Sequence, residues 1–230
     1  MAKRPVFIPL GKPDHLVNEI NIDFKWNPGF APIQKKKNVT ALHDAAMKKG
    51  LFPLLEVSTK SEELLGQRLS AFSLEIETEI GNISIESAFQ GSKIFEQGGP
   101  YIDIYRKDSR EAKKDERLRD SGELIGFSFF GKKWPLVPKT SFYDWLYIKA
   151  LQSHKEYLKK LYHYKGFTDI EFNPKKSINC QARTCALFVS FLRLEVLDKA
   201  LSSKEQFIEI VSTDSFKQKH SFDMRQQKLF

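Results

Sequence analysis

The sequence has few of the residues that would build a disulfide framework or a metal site. Its 230 residues include only two cysteines, Cys180 and Cys185, five positions apart in a segment that predicts a helix. That spacing puts the two thiols on different faces, so neither a disulfide nor a pair of metal ligands is indicated. The five histidines are scattered and show no zinc-binding spacing. We therefore expect no metal and no cofactor.

Long apolar runs are also missing. The first five residues, Met1 to Pro5, lack the apolar core of a signal peptide, and no run approaches the length that spans a bilayer. We therefore expect a cytoplasmic protein that does not bind a membrane.

The composition describes a globular chain with an excess of positive charge. Hydrophobic residues make up 41% of the sequence and aromatic residues 13%, including 19 phenylalanines. This apolar content and the chain length predict one well-packed core. The formal net charge of +8 favours polyanionic partners, such as nucleic acid or a phosphorylated ligand. Small lysine clusters, however, are usually ordinary solvated faces.

Local patterns predict an α+β fold that is predominantly helical, with short antiparallel strands. Alternating apolar residues indicate strands in the N-terminal half and at residues 124–130, whereas the longest helix is predicted at residues 178–201. We expect a single domain over residues 1–230. Its parts would be a strand- and loop-rich extension (1–80), a helical core with the candidate site (81–212) and a polar tail (213–230).

One predicted helix, at residues 85–96, carries three polar side chains on one face. Glu86, Gln90 and Lys93 stand at i, i+4 and i+7 of this helix. A carboxylate and an amine that converge on one site are suited to acid–base or Schiff-base chemistry. A structural interpretation is also available, because Glu86 would lie in the first turn after an N-cap at Ser84. The stem of Lys93 could likewise cover apolar neighbours.

Three separated segments carry a recognisable pattern. Residues 86–95 combine a glutamate and a lysine, residues 144–149 contain Asp-Trp followed by a lysine, and residues 167–169 precede Asn179. In these segments the chain resembles the NADAR family, a domain associated with NAD and ADP-ribose chemistry. The glycine-rich loop of that family is replaced here by residues 170–177, so the phosphate-facing backbone must differ.

The whole chain resembles a longer branch of this family, the antitoxins found beside DarT-type DNA ADP-ribosyltransferase toxins. The similar segments are residues 34–38, 86–101, 141–151 and 167–183. This resemblance implies an N-glycosidase, a hydrolase that removes ADP-ribose from guanine in DNA and so reverses the modification made by the toxin. It implies ADP-ribosylated DNA with an exposed or single-stranded guanine as substrate, ADP-ribose as product and a DarT-type toxin as functional partner.

The chemistry of the residues agrees with this implication. Lys93 would form a Schiff base with the anomeric carbon if burial lowers the pKa of its amine, and Glu86 would shuttle the proton. These two residues are the candidate catalytic pair. The candidate substrate-binding residues are Gln90, Gly98, Gly99, Tyr101, Trp145, Asp169, Asn179 and Arg183.

Several candidates have a simpler interpretation. Trp145 offers a flat face for a base or ribose, but a tryptophan in an amphipathic helix more often belongs to the core. Asp169 would hold a ribose hydroxyl or cap its own loop. Asn179 would cap the long helix, contact the diphosphate, or do both. Arg183 would pair with a phosphate or with Glu171.

Two other functions are open on the sequence alone. An N-glycosidase of a small phosphorylated ribosyl amine would use the same residues, and a module that binds ADP-ribose or nucleic acid would have lost catalysis. The presence of both Glu86 and Lys93 argues against the binding module. Activity on ADP-ribosylated DNA, compared with activity on free nucleotides, decides between these functions.

Overall fold

A computed structural model describes residues 1–214 of the chain. The strands in this part are β1 (Ala2–Lys12), β2 (His15–Phe24), β3 (Leu54–Glu56), β4 (Glu75–Thr78), β5 (Gly81–Ser84), β6 (Lys93–Phe95), β7 (Leu124–Phe129), β8 (Lys132–Trp134) and β9 (Gly166–Thr168). The helices are α1 (Pro32–Met47), α2 (Leu64–Arg68), α3 (Ile85–Gly91), α4 (Ser109–Lys114), α5 (Arg117–Asp120), α6 (Ser141–Gln152), α7 (Lys155–Leu161), α8 (Gln181–Arg193), α9 (Leu197–Ser202) and α10 (Lys204–Asp214), with a 3₁₀ helix at Ile102–Arg106. Of the predicted polar tail, residues 215–230 lie outside the described part.

The fold is α+β, and the prediction that it is predominantly helical is wrong. Helical segments account for 42% and strands for 23%, and the strands form three small sheets. Most of the strands are only three to six residues long, which leaves little alternation for a sequence pattern to reveal. The longest strand, β1, contains Pro5, Pro9 and Gly11, residues that predict loops.

The largest sheet has the strand order β2-β1-β9-β3. β1 and β2 form an antiparallel hairpin, and β9 meets β1 at a single pair, Phe7 and Phe167. β3 and β9 run parallel, so their carboxyl ends lie at the same edge of the sheet. This arrangement brings Glu56, at the end of β3, beside the residues that follow Thr168.

The main core lies between this sheet and α8, which packs against β1, β2, β9 and α6. Nearly all side chains of α8 are buried, including the free thiols of Cys180, just before its start, and Cys185. The long helix predicted at residues 178–201 is divided in two, because Glu195 adopts a left-handed conformation with φ of 56°. None of the helices described for residues 1–214 combines the length and the apolar character needed to cross a bilayer.

The predicted helix at residues 85–96 ends early, at Gly91. Lys93 therefore does not share a helix face with Glu86, and the prediction based on that spacing is wrong. A Cβ atom on Gly91 would lie 2.6 Å from the ring of Tyr105. Only glycine lets the backbone pass this close to the ring. Lys93 then pairs with Phe127 at the start of β6, in the antiparallel sheet β6-β7-β8.

Gln181, the first residue of α8, joins two other segments to this helix. Its Oε1 accepts a hydrogen bond from the backbone N–H of Ala71 (2.7 Å), and its Nε2 donates to the carbonyl of Val57 (2.6 Å). Gln181→Ala leaves both buried groups without these partners, so we expect the free energy of unfolding to fall by about 2–4 kcal/mol. Denaturation in urea measures the change.

Gln206→Ala is the matched control, because the amide of Gln206 donates to the exposed carboxylate of Glu209 (3.0 Å). We expect this change to alter the free energy of unfolding by less than about 0.5 kcal/mol. Equal effects at the two positions would contradict a structural role for the buried amide.

Candidate active site

Glu86 lies in the first turn of α3 and is 7% exposed. Ser84 caps this helix by accepting a hydrogen bond from the backbone N–H of Ser87 (3.1 Å), so the predicted N-cap is confirmed. Oε1 of Glu86 accepts a hydrogen bond from Nε2 of Gln90 (2.9 Å). The ammonium of Lys113, on α4, lies 3.7 Å from the same oxygen. The carboxylate is therefore held by an amide on one side and a cation on the other.

Lys93 is 8% exposed, and its Nζ lies 5.2 Å from the centroid of the Phe89 ring. Burial lowers the pKa of Lys93 to about 8. The carboxylate of Glu86 raises this pKa, whereas the ammonium of Lys113 lowers it further. The amine of Lys93 thus loses its proton more readily than that of an ordinary lysine.

An aromatic wall from α6 adjoins this pair. The rings of Phe89 and Tyr143 meet edge to face with their centroids 5.3 Å apart. Tyr143 is buried, and burial raises the pKa of its phenol; the charges of Glu86 and Asp169 act in the same direction. The Tyr143 hydroxyl therefore stays protonated and can serve as a hydrogen-bond donor.

Asp144, the next residue of α6, is buried and binds two residues of α8. Its Oδ2 lies 3.0 Å from Nη1 of Arg183, and its Oδ1 accepts a hydrogen bond from the hydroxyl of Thr184. Arg183 therefore pairs with Asp144, and Glu171 pairs instead with Lys35 (3.4 Å). The alternative in which Arg183 pairs with Glu171 is wrong.

Asp169 follows β9 and caps its own loop. Its Oδ1 accepts hydrogen bonds from the backbone N–H groups of Glu171 (3.0 Å) and Phe172 (3.2 Å). Burial, and after it the charge of Glu56, raises the pKa of Asp169 well above its ordinary value. The loop-capping interpretation of Asp169 is confirmed, and it does not exclude contact with a substrate.

Glu56 is the second member of this buried carboxyl pair. Its Oε1 accepts hydrogen bonds from the hydroxyl of Ser58 (2.7 Å) and the backbone N–H of Ile170 (2.8 Å), and its Oε2 accepts one from the hydroxyl of Thr168 (2.7 Å). These bonds lower the pKa of Glu56, although burial raises it overall. Burial therefore raises the pKa of both carboxyl groups, against the hydrogen bonds that stabilise their ionised forms.

Asn179 does not cap α8, because Cys180 occupies the N-cap position. The side-chain Oδ1 of Asn179 is buried and has no hydrogen-bond partner within residues 1–214, and the same holds for Oε1 of Gln90. A buried amide oxygen without a donor is unfavourable. Both oxygens are therefore positioned to accept hydrogen bonds from a ligand.

Gly98, Gly99 and Tyr101 support the backbone of β6. The carbonyl of Gly98 accepts a hydrogen bond from the N–H of Phe95 (2.7 Å). Gly99 has φ of +87°, and a Cβ atom there would collide with the carbonyl oxygen of Lys93. The ring of Tyr101 packs on Phe95, with centroids 6.4 Å apart. These residues therefore act on the position of Lys93.

Trp145 packs in the core. Its ring centroid lies 5.0 Å from that of Trp134 and 6.2 Å from that of Phe129. Tyr143 and Trp145 are two residues apart on α6, so their side chains do not share a face. The packing interpretation of Trp145 is confirmed.

Sequence reasoning gave no role to Glu56, Lys113, Tyr143 or Asp144. An acidic residue inside an apolar segment indicates a buried carboxylate that needs partners. This pattern could have drawn attention to both Glu56 and Asp144. Lys113 has no such signal, since it belongs to a charged segment that is indistinguishable in sequence from a solvated face.

A family described as the DarT1-associated NADAR antitoxin matches residues 2–221. The comparison with curated proteins gave no match. The family match confirms the resemblance seen in the separate sequence segments and extends it over nearly the whole chain. The chain therefore belongs to the DarT1-associated NADAR antitoxin family.

Proposed function

We propose that this protein is an N-glycosidase that removes ADP-ribose from guanine bases in DNA and so counteracts a DarT-type toxin. The observation that carries the proposal is the buried amine of Lys93, with a pKa of about 8, close enough to Glu86 for the carboxylate charge to act on it. Membership of the antitoxin family supports the biological role. Breaking an N-glycosidic bond requires a nucleophile and a proton carrier, and in this proposal Lys93 and Glu86 supply them.

In the first step, neutral Nζ of Lys93 attacks the anomeric carbon of the ribose while the bond to the guanine nitrogen breaks. The carboxylate of Glu86 takes a proton from the attacking amine and passes it to the departing nitrogen. The ribosyl group on Lys93 then opens to an imine, as Glu86 carries the second proton of the amine to the ring oxygen. The products of this step are unmodified guanine in the DNA and an imine between Lys93 and the opened ribose.

In the second step, water adds to the imine carbon, and Glu86 carries a proton from that water to Nζ. The bond between carbon and Nζ then breaks as the hydroxyl proton of the adduct passes to the nitrogen. ADP-ribose leaves, and Lys93 and Glu86 return to their starting states. Gln90 orients the carboxylate throughout, because its amide donates to Oε1 of Glu86 (2.9 Å).

The other residues of the proposal bind the substrate or support the backbone. Asp169, Asn179 and Arg183 line the substrate pocket, and Oδ1 of Asn179 accepts a hydrogen bond from the substrate. The segment with Gly98, Gly99 and Tyr101 positions β6, as described above. Trp145 has no role in the reaction.

Substitution of the catalytic pair tests the function. With an ADP-ribosylated guanine oligodeoxynucleotide as substrate, we expect wild-type protein to release ADP-ribose. Glu86→Gln and Lys93→Met should each lower turnover by ~10²-fold or more, the usual scale for losing an acid–base group. The melting temperature should be nearly unchanged, because neither substitution removes much side-chain volume.

Lys114→Met is the control for Lys93→Met, because Lys114 is an exposed lysine. It should keep wild-type turnover. Loss of activity in the catalytic variants that only follows a loss of folded protein would support the structural interpretation of Glu86 and Lys93. Wild-type protein that releases no ADP-ribose would contradict the proposed function.

The covalent step has its own test. Borohydride added during turnover should reduce the imine and leave ADP-ribose attached to the protein, and mass spectrometry should locate it on Lys93. The control variant Lys113→Arg should still be trapped, whereas Lys93→Arg should not. Unmodified protein together with an active Lys93→Arg variant would exclude the covalent route.

Lys113 should set the pH dependence of the reaction. Only the neutral amine of Lys93 attacks, so kcat/KM should rise as pH increases through about 8. A nearby cation disfavours the protonated amine, so its removal raises the pKa of Lys93. Lys113→Gln should therefore move this limb of the profile to higher pH.

Lys114→Gln, which removes the same charge one residue away, should leave the limb in place. A limb that stays at the wild-type pH in Lys113→Gln, or moves to lower pH, would show that Lys113 does not act on the amine of Lys93.

A further inference from the structure

A second group of cations lies beyond Asp169, around Trp26. The guanidinium carbon of Arg4, on β1, lies 5.4 Å from the centroid of the Trp26 ring, and Nζ of Lys35, on α1, lies 5.7 Å from it. We call Arg4, Trp26 and Lys35 the Trp26 cluster. The indole holds two cations near each other, although like charges repel.

The segment that carries Trp26 is fixed to α1. The fully buried side chain of Asn38 accepts a hydrogen bond from the backbone N–H of Asn27 (2.7 Å) and donates one to the carbonyl of Asn27 (2.9 Å). The ring of Trp26 also lies 6.1 Å from that of Phe24. The Trp26 cluster is therefore organised by the protein itself before any ligand binds.

Arg4 has hydrogen-bonding capacity that the protein does not use. Its Nη1 donates to the carbonyl of Lys3 (3.0 Å), and its Nε is buried without an acceptor within residues 1–214. Burial lowers the pKa of Arg4 and outweighs the opposing effects of Asp169 and Glu171. Within residues 1–214 the guanidinium thus makes one hydrogen bond, through Nη1, and Nη2 remains a donor for an anionic ligand.

One short loop connects this cluster with the candidate active site. Asp169, whose charge acts on Tyr143, accepts the backbone N–H of Glu171, and the carboxylate of Glu171 lies 3.4 Å from Nζ of Lys35. Asp169, near the active site, and Glu171, which contacts Lys35 of the cluster, are thus only two positions apart in the chain. The charge of Asp169 acts on Arg4 as well as on Tyr143, so this loop adjoins both the cluster and the active site.

We propose that the Trp26 cluster is a phosphate subsite for the substrate. Arg4 and Lys35 bind phosphate oxygens, and Trp26 holds the two cations in position. The identity of the ligand rests on the proposed function: the phosphate belongs to the diphosphate of the ADP-ribosyl group. A phosphodiester of the neighbouring DNA strand has the same chemistry, so the experiment separates these two sources.

The test compares two double variants that each remove two positive charges. Arg4→Gln with Lys35→Gln alters the cluster, whereas Lys48→Gln with Lys49→Gln alters exposed lysines near the end of α1. Calorimetry measures the binding of free ADP-ribose, and fluorescence anisotropy measures the binding of an unmodified single-stranded oligodeoxynucleotide. We expect the cluster variant alone to raise the Kd for ADP-ribose by roughly 10-fold or more.

A third variant, Trp26→Leu, keeps both charges and removes the ring that holds them. It should weaken ADP-ribose binding by about 2- to 5-fold. Melting temperatures establish that each variant is folded, and the single variant Lys35→Gln carries the same test if the double variant does not fold.

Weaker binding of the oligodeoxynucleotide alone would keep the phosphate subsite and assign it to the DNA strand. Unchanged binding of both probes would overturn the proposal. These readouts need no turnover, so they are independent of the test of the proposed function. Normal release of ADP-ribose with unchanged binding in the cluster variants would remove the subsite and leave the N-glycosidase in place.

Discussion

The close approach of Gly91 to the ring of Tyr105 determines where α3 ends. The hydroxyl of Tyr105 also lies 3.0 Å from that of Ser92, the residue that follows the helix. The chain leaves α3 at this contact and enters β6, where Lys93 pairs with Phe127. The carboxylate of Glu86 and the amine of Lys93 therefore come from two elements of different type. Their relative position is set by the packing between a helix and a sheet.

Because Glu86 and Lys93 lie on different elements, the surroundings of the carboxylate and those of the amine are set separately. The turn after α3 buries the amine and lowers its pKa, while the first turn of α3 keeps Glu86 within reach of Lys113 at the rim. The side chain of Lys113 is 57% exposed, whereas that of Glu86 is 9% exposed. The charge of the buried carboxylate is thus balanced from the solvent side. A ligand that displaces Lys113 would change the electrostatic surroundings of both Glu86 and Lys93.

The sequence was sufficient to predict the Ser84 cap, because capping is local, and to predict the strand at residues 124–130. It was insufficient to place Lys93, because the end of α3 depends on a ring fourteen positions further along the chain, at Tyr105. The strands β6 and β9 were not predicted for the same reason, since strand pairing and not local preference forms them. The N-cap of α8 was predicted at Asn179 and lies one residue later, at Cys180, an error typical of helix ends.

The raised pKa of Asp169 bears on the charge that a ligand meets. The formal net charge of +8 counts every carboxyl group as ionised, yet burial and the charge of Glu56 raise the pKa of Asp169. A carboxyl group with a raised pKa carries less negative charge at a given pH, so the formal count overstates the repulsion that an anion meets at this loop. An anion bound beside Asp169 would raise this pKa further. Binding of an anion and uptake of a proton would therefore be linked at this position.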